Sequence, residues 1–239
     1  RQGGAAINVL CRSNKIDFLS YDAGIDRPTR NFLHEPAMSE SETVEAFALG
    51  WGSVPQFTDV FAVGEMGIGN TTPSVAILSA ITGVPSDSII GRGTGLTDDA
   101  LARKSLTIRQ ALANRSSEFT SPLSILASIG GREIAAMTGA ILRATSMRIP
   151  VVLDGLIAGA AAAIAFGIQP ASRSCCLAGH RSAEPAHDSF LRHFGLDPLL
   201  DLRMRLGEGS GAAVAMGIVR NAVDTFHQMA TFEQAGVVI

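Results

Sequence analysis

The sequence predicts an α/β protein with a doubly wound, mostly parallel sheet flanked by helices, as in Rossmann-like folds. Short β-branched or apolar runs alternate along the chain with Ala- and Leu-rich stretches of helical length. Strands separated by such helices are typical of parallel βαβ crossovers. The pattern contains no internal repeat and no low-complexity linker, and a chain of 239 residues can bury a substantial core.

The first half of the chain is predicted from its apolar runs and its helix start signals. The Pro-containing segment 24–39 is polar and is expected to be irregular. The segment Asn70-Thr71-Thr72 offers capping side chains for the helix that follows, with Pro73 in its first turn. We predict strands over 16–22 and 59–63, and helices over 4–13, 40–51, 73–82, 97–114, 122–129 and 131–147.

The second half continues the same alternation. The stretches 134–147 and 156–166 carry small and apolar residues almost all round, which is typical of helices packed closely on a sheet. We predict strands over 150–153 and 174–178, a short apolar run at 199–202 as the last strand, and helices over 156–166, 183–194 and 210–229.

The chain is predicted to have one main domain. We expect residues 1–209 to form a large α/β nucleotide-binding domain, and residues 210–239 to form a C-terminal helical segment of a smaller subdomain. Because the chain begins at Arg1 without Met and enters a helical pattern directly, we also expect that an N-terminal part of the protein is missing.

Composition and charge exclude several classes of function. The net charge is −3. A slightly acidic chain is not expected to carry the clustered basic face that nucleic-acid binding requires. Three cysteines, two of them adjacent, form no disulfide framework and no metal-binding pattern, which predicts a cytoplasmic protein. No stretch is long and apolar enough for a membrane span. The spacing of His180, His187 and His193 does not fit metal ligands, so we predict no metal and no cofactor, with His187 and His193 on a solvated helix face.

Glycines, carboxylates and small hydroxyls follow the predicted strands. In parallel sheets ligands bind outside the carboxyl ends of the strands, so residues at these positions are the first candidates for a site. The segments are GEMGIGNTT after residue 63, Asp154-Gly155 after the next strand, GHRSAE from residue 179, and RMRLGEGSG from residue 203. The sequence therefore predicts one site at this edge of the sheet.

Two glycine loops are candidates for holding an anion. Gly67 and Gly69 would let the backbone approach a ligand closely, although a tight strand-to-helix turn explains them as well. The GRGTG loop over 91–95 precedes a helix whose first turn already carries two aspartates. A phosphate there would depend on the glycine amides, Thr94 and a cation such as Lys104, which by itself could equally be a solvated lysine.

Glu208 lies between two glycines in RLGEGSGA. One interpretation is a first-turn acid that stabilises the dipole of the following helix. The other is a general base, partly desolvated among glycines and Leu206, with its pKa raised. The local sequence leaves both open.

Seven motifs in one order resemble the nicotinate-nucleotide:dimethylbenzimidazole phosphoribosyltransferase family over essentially the whole chain. They are GEMGIGNTTP, GRGTGLTDDALARK, GGREIAAMTGAIL, RIPVVLDGLIA, GHRSAEPAH, DLRMRLGEGSGAA and MATFEQAGV. The resemblance implies transfer of 5-phosphoribose from nicotinate mononucleotide to 5,6-dimethylbenzimidazole, with inversion at C1′, by a metal-independent homodimer. The product would be α-ribazole 5′-phosphate, on the route to the lower ligand of cobalamin.

The same resemblance assigns roles to individual residues. Glu208 matches the catalytic glutamate, which would take the proton of the benzimidazole. Phosphate and ribose contacts map onto Glu65, Gly93, Lys104 and Ser182, and Leu206 matches a position that lines the benzimidazole pocket. Gly67, Thr94 and Arg205 complete the set of predicted substrate-binding residues. Glu65 is expected to face the ribose rather than the phosphate.

Departures from the family pattern remove no proposed catalytic group. Gly179, Arg132 and Ser210 replace residues that are commoner in the family. The resemblance implies that the missing N-terminal part would carry some of the wall around the acceptor base. Two alternatives therefore stay open, a nucleotide- or base-binding fragment without turnover and an enzyme that uses another acceptor base or a phenol.

Overall fold

The computed structural model describes residues 3–93 and 95–237 of the chain. In this part of the chain four strands form one parallel sheet, namely β1 (Phe61–Val63), β2 (Val151–Leu153), β3 (Cys176–His180) and β4 (Pro198–Leu200). Val63 pairs with Leu153, and Leu153 pairs with Ala178. Because neighbouring strands run in the same direction, the loops that follow them gather at one edge of the sheet.

Helices surround the sheet. Those of the described residues are α1 (Ala6–Asn14), α2 (Glu40–Gly52), α3 (Thr71–Thr82), α4 (Ser86–Ile89), α5 (Asp98–Arg115), α6 (Pro122–Ile129), α7 (Arg132–Ser146), α8 (Leu156–Ile168), α9 (Pro185–Phe194) and α10 (Ser210–Gln228). Two 3-10 helices cover Ser116–Glu118 and Pro170–Cys175. In the part of the chain that is described, none of the helices has the length and hydropathy needed to cross a membrane.

The two faces of the sheet pack against different helices. Val151 and Leu153 belong to the main core, which also contains the buried faces of α3, α7 and α8. Val152, between them in the strand, packs instead with Ala212 and Met216 of α10. This alternation follows from the two-residue period of a strand. The predicted α/β class, a parallel sheet with helices on both faces, is confirmed.

The order of the strands is simpler than in a doubly wound sheet. Across the described residues the four strands follow chain order, so the reversal that marks a doubly wound sheet does not occur among them. The second face is covered by α10, which contacts all four strands and packs against α1.

Local signals explain where three of the helices begin. Ser39 and Glu42 form a reciprocal capping box at the start of α2, and Ser121 caps α6, whose first residue is Pro122. Thr97 accepts a hydrogen bond from the backbone of Ala100 at the start of α5. These starts therefore agree with the sequence prediction to within about two residues, the usual scatter of helix ends.

The strand predicted over 16–22 is wrong. This segment pairs with no strand in the described residues, and Phe18, Leu19 and Tyr21 are exposed. The segment does not join the sheet, whose edge strand in the described residues is β1, and an apolar run that pairs with no strand does not form one. The strand predicted over 174–178 is also displaced, because a 3-10 helix occupies its first residues and β3 extends to His180.

Helices α2 and α7 pack with their backbones in close contact. A Cβ atom at Gly50 would lie 1.7 Å from the carbonyl oxygen of Ala136, and one at Gly139 would lie 2.1 Å from that of Phe47. Only glycine is compatible with these contacts. The pair of helices fixes the position of the first turn of α7, which borders the site described next.

Candidate active site

The loops after the strands are joined by backbone hydrogen bonds. The N–H of Glu208 donates to the carbonyl of Glu65 at 3.1 Å, and the N–H of Ala183 donates to the carbonyl of Met204 at 3.0 Å. A Cβ atom at Gly64 would lie 2.4 Å from the backbone nitrogen of Gly209, so the first of these contacts requires glycine. The loops after β1 and β4 are thus held against each other.

Glu208 occupies a left-handed turn. Its φ is +63°, and the glycines on either side have φ values of +83° and +81°. One carboxylate oxygen, Oε2, accepts a hydrogen bond from the backbone N–H of Ile7 at 3.0 Å, in the first turn of α1. The other oxygen, Oε1, accepts no hydrogen bond from the described residues. This half-buried carboxylate is therefore oriented by one oxygen and available at the other.

Asp154, rather than Glu208, stabilises the start of α10. Its Oδ1 accepts hydrogen bonds from the backbone N–H groups of Gly211 at 2.8 Å and Ala212 at 3.1 Å, and it lies 3.4 Å from Nε2 of His180. The interpretation of Glu208 as a dipole-stabilising acid of the following helix is wrong, because its carboxylate contacts α1 instead. Asp154 directly follows β2, and this position after a strand is what marked it as a candidate site residue in the sequence.

Glu65 is held by its own loop. Oε2 accepts hydrogen bonds from the backbone N–H of Gly67 at 2.7 Å and from Nδ2 of Asn70 at 2.5 Å. Burial raises the pKa of Glu65, and the negative charges of Glu133 and Asp154 raise it further, while the two hydrogen bonds lower it. Gly67 thus contributes its backbone N–H to the orientation of Glu65. The neighbouring apolar side chains of this loop, Met66 and Ile68, are exposed.

Glu133 is a site residue that sequence reasoning missed. It lies in the first turn of α7, and burial raises its pKa, opposed mainly by its own backbone N–H. The predicted candidates all follow strands or glycine loops, whereas Glu133 comes after a helix and a Gly130-Gly131 turn. The signal in the sequence was a glutamate in the first turn of the helix that begins in the motif GREIAAMTGAIL.

Lys104 is buried beside the second glycine loop. Its Nζ donates hydrogen bonds to Oγ1 of Thr71 at 3.0 Å and to the carbonyl of Gly91 at 3.2 Å. Burial lowers the pKa of Lys104, and the negative charge of Glu184 opposes this. The interpretation as a solvated lysine is therefore wrong, since only 9% of the residue is exposed.

Gly93 faces the same position as the Lys104 ammonium. Its φ is +54°, and a Cβ atom there would lie 3.5 Å from Oγ1 of Thr71, which is the hydroxyl that Lys104 contacts. Thr94, the next predicted residue, lies outside the described residues. Thr71, the first residue of α3, contacts Lys104 and follows Asn70, whose side chain hydrogen-bonds to Glu65. The start of α3 therefore connects Lys104 to Glu65.

Ser182 is buried at the start of the loop that follows β3. Its backbone N–H donates to Nδ1 of His187 at 2.9 Å, and its Oγ lies 3.4 Å from the N–H of Glu184. A Cβ atom at Gly91 would lie 2.0 Å from a carboxylate oxygen of Glu184, so this loop packs directly on the glycine loop beside Lys104.

His187 was expected on a solvated helix face, and this is wrong. The residue is fully buried and stacks on Phe190, whereas His193 is exposed as predicted. Burial, with the nearby His180, lowers the pKa of His187 to about 3. The neutral imidazole accepts the hydrogen bond of Ser182 and so holds the β3 loop.

Arg205 and Leu206 are exposed on the loop that carries Glu208. The structure thus brings Glu65, Gly67 and Glu208 into one group and Gly93, Lys104 and the Ser182 loop into another. Among the described residues, no three His, Cys, Asp or Glu side chains are grouped in a way that could hold a metal ion. Chemically, the site offers one carboxylate with a free oxygen, a second carboxylate on a glycine loop, and a buried cation beside a helix N-terminus.

Comparisons with known proteins agree on one family. The phosphoribosyltransferase family model DBI_PRT matches residues 1–237. The nicotinate-nucleotide–dimethylbenzimidazole phosphoribosyltransferase of Cereibacter sphaeroides is 47% identical over 237 residues, which are 99% of this chain and 70% of that protein. The protein of the same name from Brucella anthropi is 46% identical over 235 residues, 98% of this chain and 69% of that one.

A solved structure is similar throughout the chain. The crystal structure of CobT from Thermus thermophilus matches with a TM-score of 0.91 and 36% sequence identity. The match covers 99% of this chain and 76% of that one.

Proposed function

The chain belongs to the phosphoribosyltransferase family described by the DBI_PRT model, and from this we propose its reaction. It transfers 5-phosphoribose from nicotinate mononucleotide to 5,6-dimethylbenzimidazole, releases nicotinate and forms α-ribazole 5′-phosphate. The observation that carries the assignment of the site is the Glu208 carboxylate, which is fixed by Ile7 at one oxygen and free at the other among the described residues. This reaction belongs to the synthesis of the lower ligand of cobalamin.

The reaction breaks one glycosidic bond and forms another. The bond between C1′ and the nicotinate nitrogen breaks, and its electron pair stays with the nicotinate ring. A benzimidazole nitrogen attacks C1′ from the opposite face, so a β-nucleotide becomes an α-nucleotide. The leaving pyridinium becomes neutral as it departs, and it therefore requires no acid catalyst. The N–H proton on the second benzimidazole nitrogen must be removed.

Glu208 takes that proton in our proposal. A general base has to be within hydrogen-bonding reach of the proton, with a free acceptor oxygen. The hydrogen bond from Ile7 supports this role because it orients the carboxylate without occupying Oε1. The exposed Leu206 and Arg205 of the same loop, together with Gly67, are proposed to contact the base.

Glu65 faces the ribose in our proposal. Its carboxylate would accept hydrogen bonds from sugar hydroxyls and place negative charge near C1′, where positive charge develops in the transition state. Support comes from its Oε1, which would lie 3.5 Å from a Cβ atom at Gly207 and so is directed toward the Glu208 loop. The two carboxylates therefore border the same space.

The phosphate is proposed to bind beside Lys104, Gly93, Thr94 and Ser182. The start of α3 supports this, because Thr71 contacts Lys104 and helix N-termini attract anions. Burial lowers the pKa of Lys104, and the negative charge of a phosphate there would compensate for the lost solvation of its ammonium group. The start of α5 is not part of this proposal, because Asp98 and Asp99 occupy its first turn.

We further propose that the protein is a cytoplasmic homodimer. Free Cys11, Cys175 and Cys176 are consistent with a reducing compartment. Val223 and Phe226 of α10 are exposed apolar side chains that association could cover. Size-exclusion chromatography with light scattering tests the oligomeric state, and a monomer at micromolar concentration would contradict it.

Product analysis tests the reaction itself. The full-length protein is mixed with nicotinate mononucleotide and dimethylbenzimidazole, the products are separated by chromatography, and the anomeric configuration at C1′ is read from proton NMR. We expect equal amounts of nicotinate and an α-configured riboside phosphate. Nicotinate release without the base, or a β-configured product, would contradict the proposed single displacement.

A further inference from the structure

The carboxylate of Asp154 holds the start of α10 from a neighbouring loop. Its Oδ1 accepts hydrogen bonds from the backbone N–H groups of Gly211 at 2.8 Å and Ala212 at 3.1 Å. These N–H groups lie in the first turn of the helix, where the helix itself offers them no carbonyl partner. An aspartate at this position forms charge-assisted hydrogen bonds, and its charge stabilises the positive end of the helix dipole. Asp154 thus ties the first turn of α10 to the end of β2.

Asp154 is buried and packs against a buried imidazole. Only 5% of Asp154 and 3% of His180 are exposed. Nε2 of His180 lies 3.4 Å from the same carboxylate oxygen, Oδ1. A Cβ atom at Gly211 would lie 2.0 Å from Cδ2 of that imidazole, so only glycine fits in the first turn of the helix at this point. The carboxylate, the imidazole and the start of α10 therefore form one close-packed group.

Glu208 lies immediately before this anchored helix start. It precedes Ser210, the first residue of α10, by two positions. The backbone N–H and the Oγ of Ser210 both donate to the carbonyl of Gly207, at 2.9 Å and 2.6 Å, and so close the turn that contains Glu208. The position of the Glu208 backbone is therefore set by the place where α10 begins, and Asp154 fixes that place.

The conformation of Glu208 requires such support. Its φ of +63° lies in the left-handed region, which a glutamate rarely adopts. A conformation of this kind persists only where the surrounding contacts hold it. These contacts are the N–H of Ile7 at the carboxylate, the carbonyl of Glu65 at the backbone, and α10 on the C-terminal side of the turn. The third of them depends on the buried carboxylate of Asp154.

We propose, building on the reaction assigned above, that Asp154 is a positioning residue for Glu208. By holding the first turn of α10, it fixes the left-handed turn and with it the point from which the Glu208 carboxylate reaches the acceptor base. Asp154 acts through the helix and does not contact the substrates. Its loss should therefore lower kcat and leave the KM for nicotinate mononucleotide unchanged.

A double-mutant cycle with Glu208 tests this role. We expect Asp154→Ala to lower kcat at least about tenfold, because a displacement of a catalytic group by about 1 Å is sufficient for such a loss. In the Glu208→Gln background the same substitution should change kcat less than about twofold, since the group that Asp154 positions no longer takes the proton. Glu40→Ala is the control, because it removes an exposed first-turn acid from α2 and should leave kcat unaltered.

The conservative variant Asp154→Asn keeps an oxygen that can accept the hydrogen bonds of Gly211 and Ala212. Its kcat should recover to within about threefold of the wild type, because a neutral acceptor is weaker than a carboxylate. If Asp154→Ala does not fold, as judged by thermal unfolding, Asp154→Asn takes its place in the cycle. Its smaller loss should then disappear in the Glu208→Gln background, and a kcat equal to that of the wild type would overturn the inference.

Additive effects of the two substitutions would overturn the inference, and so would an unchanged kcat in Asp154→Ala. A raised KM for nicotinate mononucleotide with an unaltered kcat would also overturn it, because Asp154 would then contact the substrate directly. Turnover by the wild-type protein separates the two proposals. If the wild type releases no nicotinate, the assigned reaction fails and the inference fails with it; if it turns over normally and the cycle is additive, only the role of Asp154 fails.

Discussion

The backbone N–H of Glu208 donates a hydrogen bond to the backbone carbonyl of Glu65 at 3.1 Å. The two residues belong to loops at opposite ends of the sequence of strands, after β1 and after β4. Their relative position is set by backbone contacts and so does not depend on the flexibility of either side chain. The proposed base and the proposed ribose-binding carboxylate are thus held as a pair before any substrate binds.

Gly64→Ala should separate this pair. The new methyl group would lie 2.4 Å from the backbone nitrogen of Gly209, so one of the two loops must move. We expect kcat to fall at least about tenfold, together with about 1–3 kcal/mol of lost stability from overpacking. Initial rates and thermal unfolding measure both effects. Gly52→Ala is the matched control, because a Cβ atom there has no neighbour within 4 Å; equal rates in the two variants would contradict the prediction.

Lys104→Met should weaken binding of the nucleotide substrate. The substitution keeps an unbranched side chain of similar length. It removes the cation that is proposed to bind the phosphate through charge-assisted hydrogen bonds. We expect KM for nicotinate mononucleotide to rise about ten- to a hundredfold while KM for the base changes little. Lys15→Met removes the chain's other lysine, which is exposed, and should leave both constants unaltered. Parallel changes in the two variants would contradict a local role for Lys104.

His187 should make the protein less stable in acid. Its folded-state pKa of about 3 lies below the ordinary value of 6.5. Between these values the unfolded chain binds a proton that the buried imidazole does not, so stability falls as the pH decreases, by at most about 1.4 kcal/mol per pH unit. The charged and titratable groups around it are His180, Asp154 and Arg181.

His187→Asn removes that titration and keeps an acceptor for the N–H of Ser182. We expect the free energy of unfolding, measured by denaturant titration, to decline less steeply for the variant between about pH 6.5 and 4. The variant will be less stable at neutral pH because it loses the stacking on Phe190. Identical slopes for the two proteins would show that His187 does not contribute.

Glu133→Gln should stabilise the protein above neutral pH. Burial raises the pKa of Glu133 and Glu65, so the folded protein binds protons more tightly than the unfolded chain. The resulting destabilisation is absent below pH 4.5, grows as the pH rises through the folded-state pKa values, and is complete above them. The gain in unfolding midpoint should therefore be present in mildly alkaline buffer and lost in acid. Glu233→Gln, at an exposed position, is the control, and the same gain in both would contradict the assignment.

The sequence was sufficient for elements whose ends carry local signals. The helix Pro122–Ile129 was predicted to the residue, because Ser121 and Pro122 mark its start and Gly130 its end. The segment 16–22 shows the limit, since its apolar residues resemble a strand but it pairs with no strand among the described residues. The division into residues 1–209 and 210–239 stays a prediction.

Candidate residues in loops after strands could be found from the sequence, because parallel strands bring those loops together. Glu65 and Glu208 were found in this way. Glu133 could not be found, since it reaches the site from a helix that follows another helix. The burial of His187 was also hidden, because its helix carries polar residues as well as apolar ones and only packing decides which face is covered. The roles of the individual residues stay predictions.

The most direct test of the account is the rate of nicotinate release by Glu208→Gln. The substitution keeps an oxygen that can accept the hydrogen bond of Ile7 and removes the ability to take a proton. With both substrates saturating and folding verified by thermal unfolding, we predict a rate at least about a hundredfold below that of the wild type. A rate equal to that of the wild type would contradict the assignment of Glu208 as the general base.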